Sequence, residues 1–162
     1  DIELEERTYY FTPADSVAST LFFATAPAPP PGTPTEYFLA GGTDEWRGVN
    51  VALDRASTAT IAKVALYNAA ANNPSFETFI LERDAELTEE DFPALQSPGF
   101  RFPSSNAFLD AGSYDIYITT GGTRDIIGGP YPLDVALGDV VLLLAADDPL
   151  DTAAVVLSDI SP

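Results

Sequence analysis

A chain of 162 residues with 25 acidic and 7 basic side chains carries a formal charge of −18, which excludes nucleic acid and anionic membrane surfaces as partners, since both demand a basic face. It holds no histidine and no cysteine, so the side chains that most often act as neutral-pH base, thiolate nucleophile or soft metal ligand are missing. With 46% apolar residues it is nonetheless expected to fold, as one domain or one domain with an appendage.

Strand signals begin at once. Ile2 and Leu4 alternate with Asp1, Glu3 and Glu5, and the aromatic stretch Thr8–Thr12 follows with Tyr9, Tyr10 and Phe11. A β-rich run over Val17–Thr25 leads into the proline-rich Ala26–Pro34, which cannot enter a sheet interior and reads as an extended, exposed loop. Runs at Thr35–Ala40 and Val49–Leu53 flank the Gly41-Gly42 turn, and the polar, small stretch Asp54–Thr60 reads as a linker. The expected division is residues 1–58, strands and Pro-rich loop packing on or completing a sandwich, and 59–162, the sandwich itself.

Beyond the linker come Ile61–Ala69, the Asn72-Asn73-Pro74 turn and Phe76–Leu81. The one helical signal lies in the acidic insert that follows: Thr88 before Glu89, Glu90 and Asp91 resembles an N-cap, with Pro93 and Pro98 limiting the helix to a turn or two. Strands are then expected at Ala107–Leu109, Ser113–Thr119, Tyr131–Ala136, Asp139–Ala146 and Ala153–Asp159. Turns fall at Gly121-Gly122, Gly128-Gly129-Pro130 and Asp147-Asp148-Pro149. The unbroken apolar run Val140–Ala146 marks a central strand buried on both faces, and it is too short to cross a membrane as a helix. The order of parts from Tyr10 to Leu39 also resembles that from Tyr131 to Leu157, a faint internal repeat. The fold class that follows is all-β: an antiparallel Greek-key, immunoglobulin-like or transthyretin-like β-sandwich with extra N-terminal strands.

The most specific local pattern is Asp110-Ala111-Gly112-Ser113-Tyr114. It matches the tyrosine corner of Greek-key sandwiches, where the phenol bonds upstream backbone, so Asp110, Gly112 and Tyr114 are given structural roles. Ile116 stands where an immunoglobulin domain carries its cysteine. Together with Val64–Ala70, Asn73-Pro74 and Leu133–Leu144 containing Gly138-Asp139, this segment is similar to the domain-of-unknown-function 4397 family over roughly residues 61–160. The resemblance implies an exported bacterial β-sandwich module, often in tandem copies, and brings no catalytic residue. The acidic insert Leu81–Phe102 departs from it.

Six carboxylates crowd the insert at Glu82, Asp84, Glu86, Glu89, Glu90 and Asp91, but close pairs are inevitable among so many acids. The Asp151-Thr152-Ala153 echo of aspartic proteases lacks the required glycine and a second copy. Asp147, Asp148 and Asp151 share one turn between strands and are candidate calcium ligands, the only cofactor the sequence suggests. Trp46 with Arg47 reads as a core-edge cap, a carbohydrate-stacking platform or an interface anchor. The chain has no methionine, initiator included, which fits a processed, exported form or a segment of a longer chain. The expected function is therefore a non-catalytic extracellular or periplasmic structural protein at the cell surface. It is expected to partner with itself and to insert in no membrane. Ile2, Leu4, Tyr9, Tyr10 and Phe11 would form the strand that joins copies into a filament or layer. The alternatives are a calcium- or carbohydrate-binding module and, more remotely, a carboxylate hydrolase.

Overall fold

The computed structural model describes residues 7–11, 22–26, 35–42, 45–52, 56–73, 75–96, 99–148, 150–151 and 153–159. The protein is all-β, with no helix among these residues. The chain divides into two compact units, residues 1–55 and 56–162.

The first unit contains two separate antiparallel ribbons. Strands β1 (Arg7–Phe11) and β2 (Phe22–Ala26) pair with Tyr9 opposite Ala24. Strands β3 (Thr35–Gly42) and β4 (Glu45–Ala52) pair with Phe38 opposite Val49. Ile2, Leu4 and most of the Pro-rich loop lie outside the described residues.

Among its described residues the second unit has seven strands in two sheets. These are β5 (Ala62–Asn68), β6 (Phe76–Glu82), β7 (Ala107–Leu109), β8 (Gly112–Thr120), β9 (Ile126–Val135), β10 (Val140–Asp147) and β11 (Val155–Asp159). One sheet has the order β11-β10-β5-β7 and the other β6-β8-β9. Period-two alternation aims Ala62, Val64 and Leu66 of β5 and Val141, Leu143 and Ala145 of β10 into a common core with Phe76, Ile116, Ile118, Leu133 and Val135 of the second sheet. Strand β10 is central and buried on both faces, with Leu142 on the side away from that core.

Three expectations are corrected here. The sheets are not wholly antiparallel, because β10 runs parallel to β5 with Val141 level with Val64. A parallel neighbour requires a long crossover, which the second sheet supplies. The Gly128-Gly129-Pro130 turn is absent: β9 runs straight through it, with register shifts where β8 passes Ile116, Ile118 and Thr119. Gly129 is essential to that irregularity, since its φ is 100° and a Cβ there would strike the Ile116 carbonyl oxygen. The internal repeat fails on pairing, because β1 bonds β2 whereas β9 and β10 belong to different sheets.

One core residue comes from neither sheet. Leu95, in the insert, is fully buried among the core side chains, while its near neighbour Phe92 is 87% exposed. Leu95→Ala should therefore lower stability by about 2–4 kcal/mol. Phe92→Ala should stay within about 0.5 kcal/mol. Urea midpoints of the two variants, read at equal m-value, check this contrast.

Candidate functional site

Because Tyr114, Ile116 and Ile118 face the core, the alternating Asp115, Tyr117 and Thr119 face outward from β8, beside Phe79 of β6. The acidic insert folds back over this outer face as a strap. Its first anchor is Arg83, whose Nε lies 3.0 Å from Asp115 Oδ1 and donates to the Tyr114 carbonyl at 3.1 Å. A second guanidinium nitrogen reaches Asp134 Oδ1 at 3.3 Å. Asp115 is buried, and its other oxygen accepts the Asp84 amide at 2.9 Å, so the carboxylate is fully engaged. The Tyr117 hydroxyl donates to the Ala85 carbonyl at 3.0 Å.

The helix expected after Thr88 does not form; the segment makes one capped turn instead. Asp91 Oδ2 accepts from the Thr88 amide at 2.7 Å and from its hydroxyl at 2.8 Å, while Glu90 N–H donates to Thr88 Oγ1 at 3.3 Å. This is the start of a helix without its continuation, because Pro93 lies two residues past Asp91. The two Thr88 bonds, backbone first, hold the Asp91 carboxyl below the ordinary carboxylate range. Arg124 is the second anchor. It donates to the Asp91 carbonyl at 2.5 Å and the Glu89 carbonyl at 3.3 Å, with its guanidinium 4.5 Å above the Phe79 ring. The strap then pairs along the free edge of β6, with Ala94 N–H donating to Thr78 O at 2.9 Å, and inserts Leu95 into the core.

The tyrosine-corner residues lie at the entry to β8. Tyr114 donates its hydroxyl to the Asp110 carbonyl at 3.0 Å, and its ring packs over Gly112, where an added Cβ would stand 3.4 Å away. This bond is solvent-exposed rather than buried, so Tyr114→Phe should cost about 0.5–1.5 kcal/mol.

Asp147, Asp148 and Asp151 do not converge. Asp147 reaches back across the fold to accept from Asn72 N at 3.0 Å and Asn73 Nδ2 at 3.0 Å. Asp148 accepts the Leu150 amide at 2.8 Å, and Asp151 the Ala153 amide at 3.1 Å, each closing a local Asx turn. Among the described residues, no three His, Cys, Asp or Glu side chains form a group that could hold a metal ion. Tyr9, Tyr10 and Phe11 sit in β1, paired to Ala24, Phe23 and Phe22; Trp46 and Arg47 sit in β4, opposite Gly41 and Ala40.

Sequence reasoning missed Arg83, Arg124 and the Asn72–Asp147 clamp. Four cations among residues 56–162 was the available signal, since each scarce positive charge had to answer several acids.

The sheet edges of the second unit differ in protection. Strap residues Ala94 and Leu95 cover β6. Beyond the three-residue β7, the Arg101–Ser104 segment continues along β5, with Arg101 N–H donating to Asn68 O and Ser104 N–H to Leu66 O, both at 2.7 Å. Strand β9 carries Pro130, Pro132 and the bulge. Strand β11, with the sequence Val155-Val156-Leu157-Ser158-Asp159, ends its sheet with β10 on one side and no described strand on the other.

No protein-family model matches the chain, and no curated protein matches it significantly. No helix among the described residues is long and apolar enough to cross a membrane.

Arg83→Ala strands the buried Asp115 charge and should cost roughly 1–3 kcal/mol, whereas Asp134→Ala, at an acid 74% exposed, should cost less than about 0.5 kcal/mol. Denaturant titration of both variants separates the two anchors. Alkali supplies a further test at Tyr67, fully buried on β5. Burial pushes its phenol from 10.0 up to about 12, against a smaller opposing pull from Arg101. A raised folded pKa means that this contribution is fully present below pH 10 and is lost as pH climbs toward about 12. Thermal midpoints of the wild type should fall across that window more steeply than those of Tyr67→Phe.

Proposed function

We propose that the chain is a non-catalytic extracellular structural protein, a Greek-key sandwich of immunoglobulin-like or transthyretin-like type that joins copies of itself by strand addition. The observation that carries this reading is the contrast among edges: β6, β7 and β9 are each guarded, whereas β11, Val155-Val156-Leu157 followed by Ser158 and Asp159, has no described strand beyond it, although its Val155 carbonyl accepts the Tyr131 hydroxyl. The complementary element is β1, whose one side is taken by β2 and whose other side bonds no described strand. Two-stranded ribbons such as β1–β2 and β3–β4 are marginal alone, so a neighbour's sheet edge would stabilise them. A contact between different surfaces of successive copies extends without closing, which favours a filament or layer.

The Tyr114–Asp110 bond supports the Greek-key part of the reading. Against catalysis stand the lack of histidine and cysteine and the use of Asp91, Asp115, Asp147, Asp148 and Asp151 as staples of their own loops. Extracellular placement rests on the family resemblance over residues 61–160 and on the acidic, lysine-poor composition.

Copies that each carry −18 repel one another, so assembly should require salt that shortens the Debye length to below about 10 Å. Light scattering of the full chain should show mass growing with protein concentration in molar NaCl, and deletion of residues 1–12 should return a folded monomer. A full-length chain that stays a compact monomer at high concentration and high salt overturns the proposal.

A further inference from the structure

Two polar side chains beside the strap have no partner among the described residues. Glu77, on the outward face of β6, and Gln96, at the end of the strap, have neither a hydrogen bond nor an ion pair among the described residues. Both line a cleft of about 300 Å³ together with Ser75, Pro93, Gly121 and Gly122. The cleft lies between the start of β6, the strap and the β8–β9 turn. Glycine backbone lines one side of it: a Cβ at Gly121 would stand 2.8 Å from Ser75 Oγ, so a side chain there would have to turn the serine hydroxyl aside. Gly122, at φ 77°, has open space above it. Level with Glu77 on β8, Thr119 Oγ1 is fully buried with no hydrogen-bond partner among the described residues.

The lining selects its ligand by charge and shape. An anion is repelled by Glu77 and by the net charge of −18. A hard cation wants six or more oxygens, and Glu77 is the only carboxylate in the lining. What the groups suit is hydroxyl: the carboxylate accepts from two, while the amide of Gln96 and the hydroxyl of Ser75 both donate and accept. Apolar surface stands alongside. Pro93 forms one wall, and Phe92, the residue before it in the chain, is 87% exposed with no packing role to explain it. Small-molecule sites begin at about 300 Å³, so this one has room for a single ring.

We propose that this cleft binds one neutral sugar ring, free or as a unit of a glycan. Glu77 and Gln96 hold hydroxyls, and Phe92 and Pro93 cover an apolar face of the ring. The site is distinct from the β11 edge and does not depend on assembly through it.

Amide NMR of the full chain, titrated with methyl glycosides of glucose, galactose and mannose to about 50 mM, tests the inference. A site of this size and polarity should give a Kd of about 1 mM for at least one of them. The perturbed signals should be the Gln96 side-chain amide and the Gly121 and Gly122 N–H groups. Glu77→Gln should weaken binding roughly tenfold, and Phe92→Ala roughly two- to tenfold. Neither should move the rest of the spectrum, which separates lost binding from lost folding. Because the ligand is neutral, affinity should be insensitive to NaCl. No perturbation by any glycoside, shifts distributed away from the cleft, or the same shifts produced by calcium or by free lysine instead would each overturn it.

Discussion

Positive charge is the scarce component of this molecule, and the placement of two of the four cations among residues 56–162 governs how the acidic insert folds against an acidic sheet. Arg83 joins Asp115, Asp134 and the Tyr114 carbonyl, and Arg124 gathers the Glu89 and Asp91 carbonyls above the Phe79 ring. Without these two clamps, the acidic insert would lie against Asp115 and Asp134 with no counter-charge between them, and repulsion would disfavour the strap. Leu95 would then leave the core and the β6 edge would open, so core packing and edge protection both follow from where the two arginines stand.

The same constraint explains the fate of the acids. A carboxylate on so negative a surface is held most cheaply by a neutral backbone N–H, and the structure uses that solution repeatedly: Asp84 N–H for Asp115, Thr88 N–H for Asp91, Leu150 N–H for Asp148 and Ala153 N–H for Asp151. Each bond fixes a turn that apolar burial could not fix. Glu77 has no such donor among the described residues, and its carboxylate lines the cleft.

The strands were legible because each has a half-buried face, and a period of two survives in the residues themselves. Val64, Leu66 and Val141, Leu143 announce their sheets without reference to any partner. Even the β10 run was readable as central, since burial on two faces erases the alternation. Pairing was another matter. Nothing local in Val140–Ala146 says that its neighbour is β5 running in the same direction. Gly128-Gly129-Pro130 carries the signature of a turn whether it reverses the chain or bends a strand. The strap was least legible. Thr88 and Asp91 did cap a turn as their spacing suggests, but Pro93 and the pull of Leu95 toward the core decided what came after. In the same way Asp147 looked like a loop acid because its partner Asn72 lies on the far side of the sequence.

The parallel pairing of β5 with β10 has a consequence for how the molecule is made. Strand β5 is the first of the second unit to leave the ribosome, and its partner along most of its length is the next to last. The β8–β9 hairpin closes a short loop and can form early, whereas the apolar face of Val64 and Leu66 waits for almost the whole unit to be synthesised. During that interval the nascent chain presents an unpaired, hydrophobic strand edge, the state most prone to aggregation. High negative charge keeps such chains apart in that interval. The acidic coat thus protects the protein during its synthesis as well as on the finished surface.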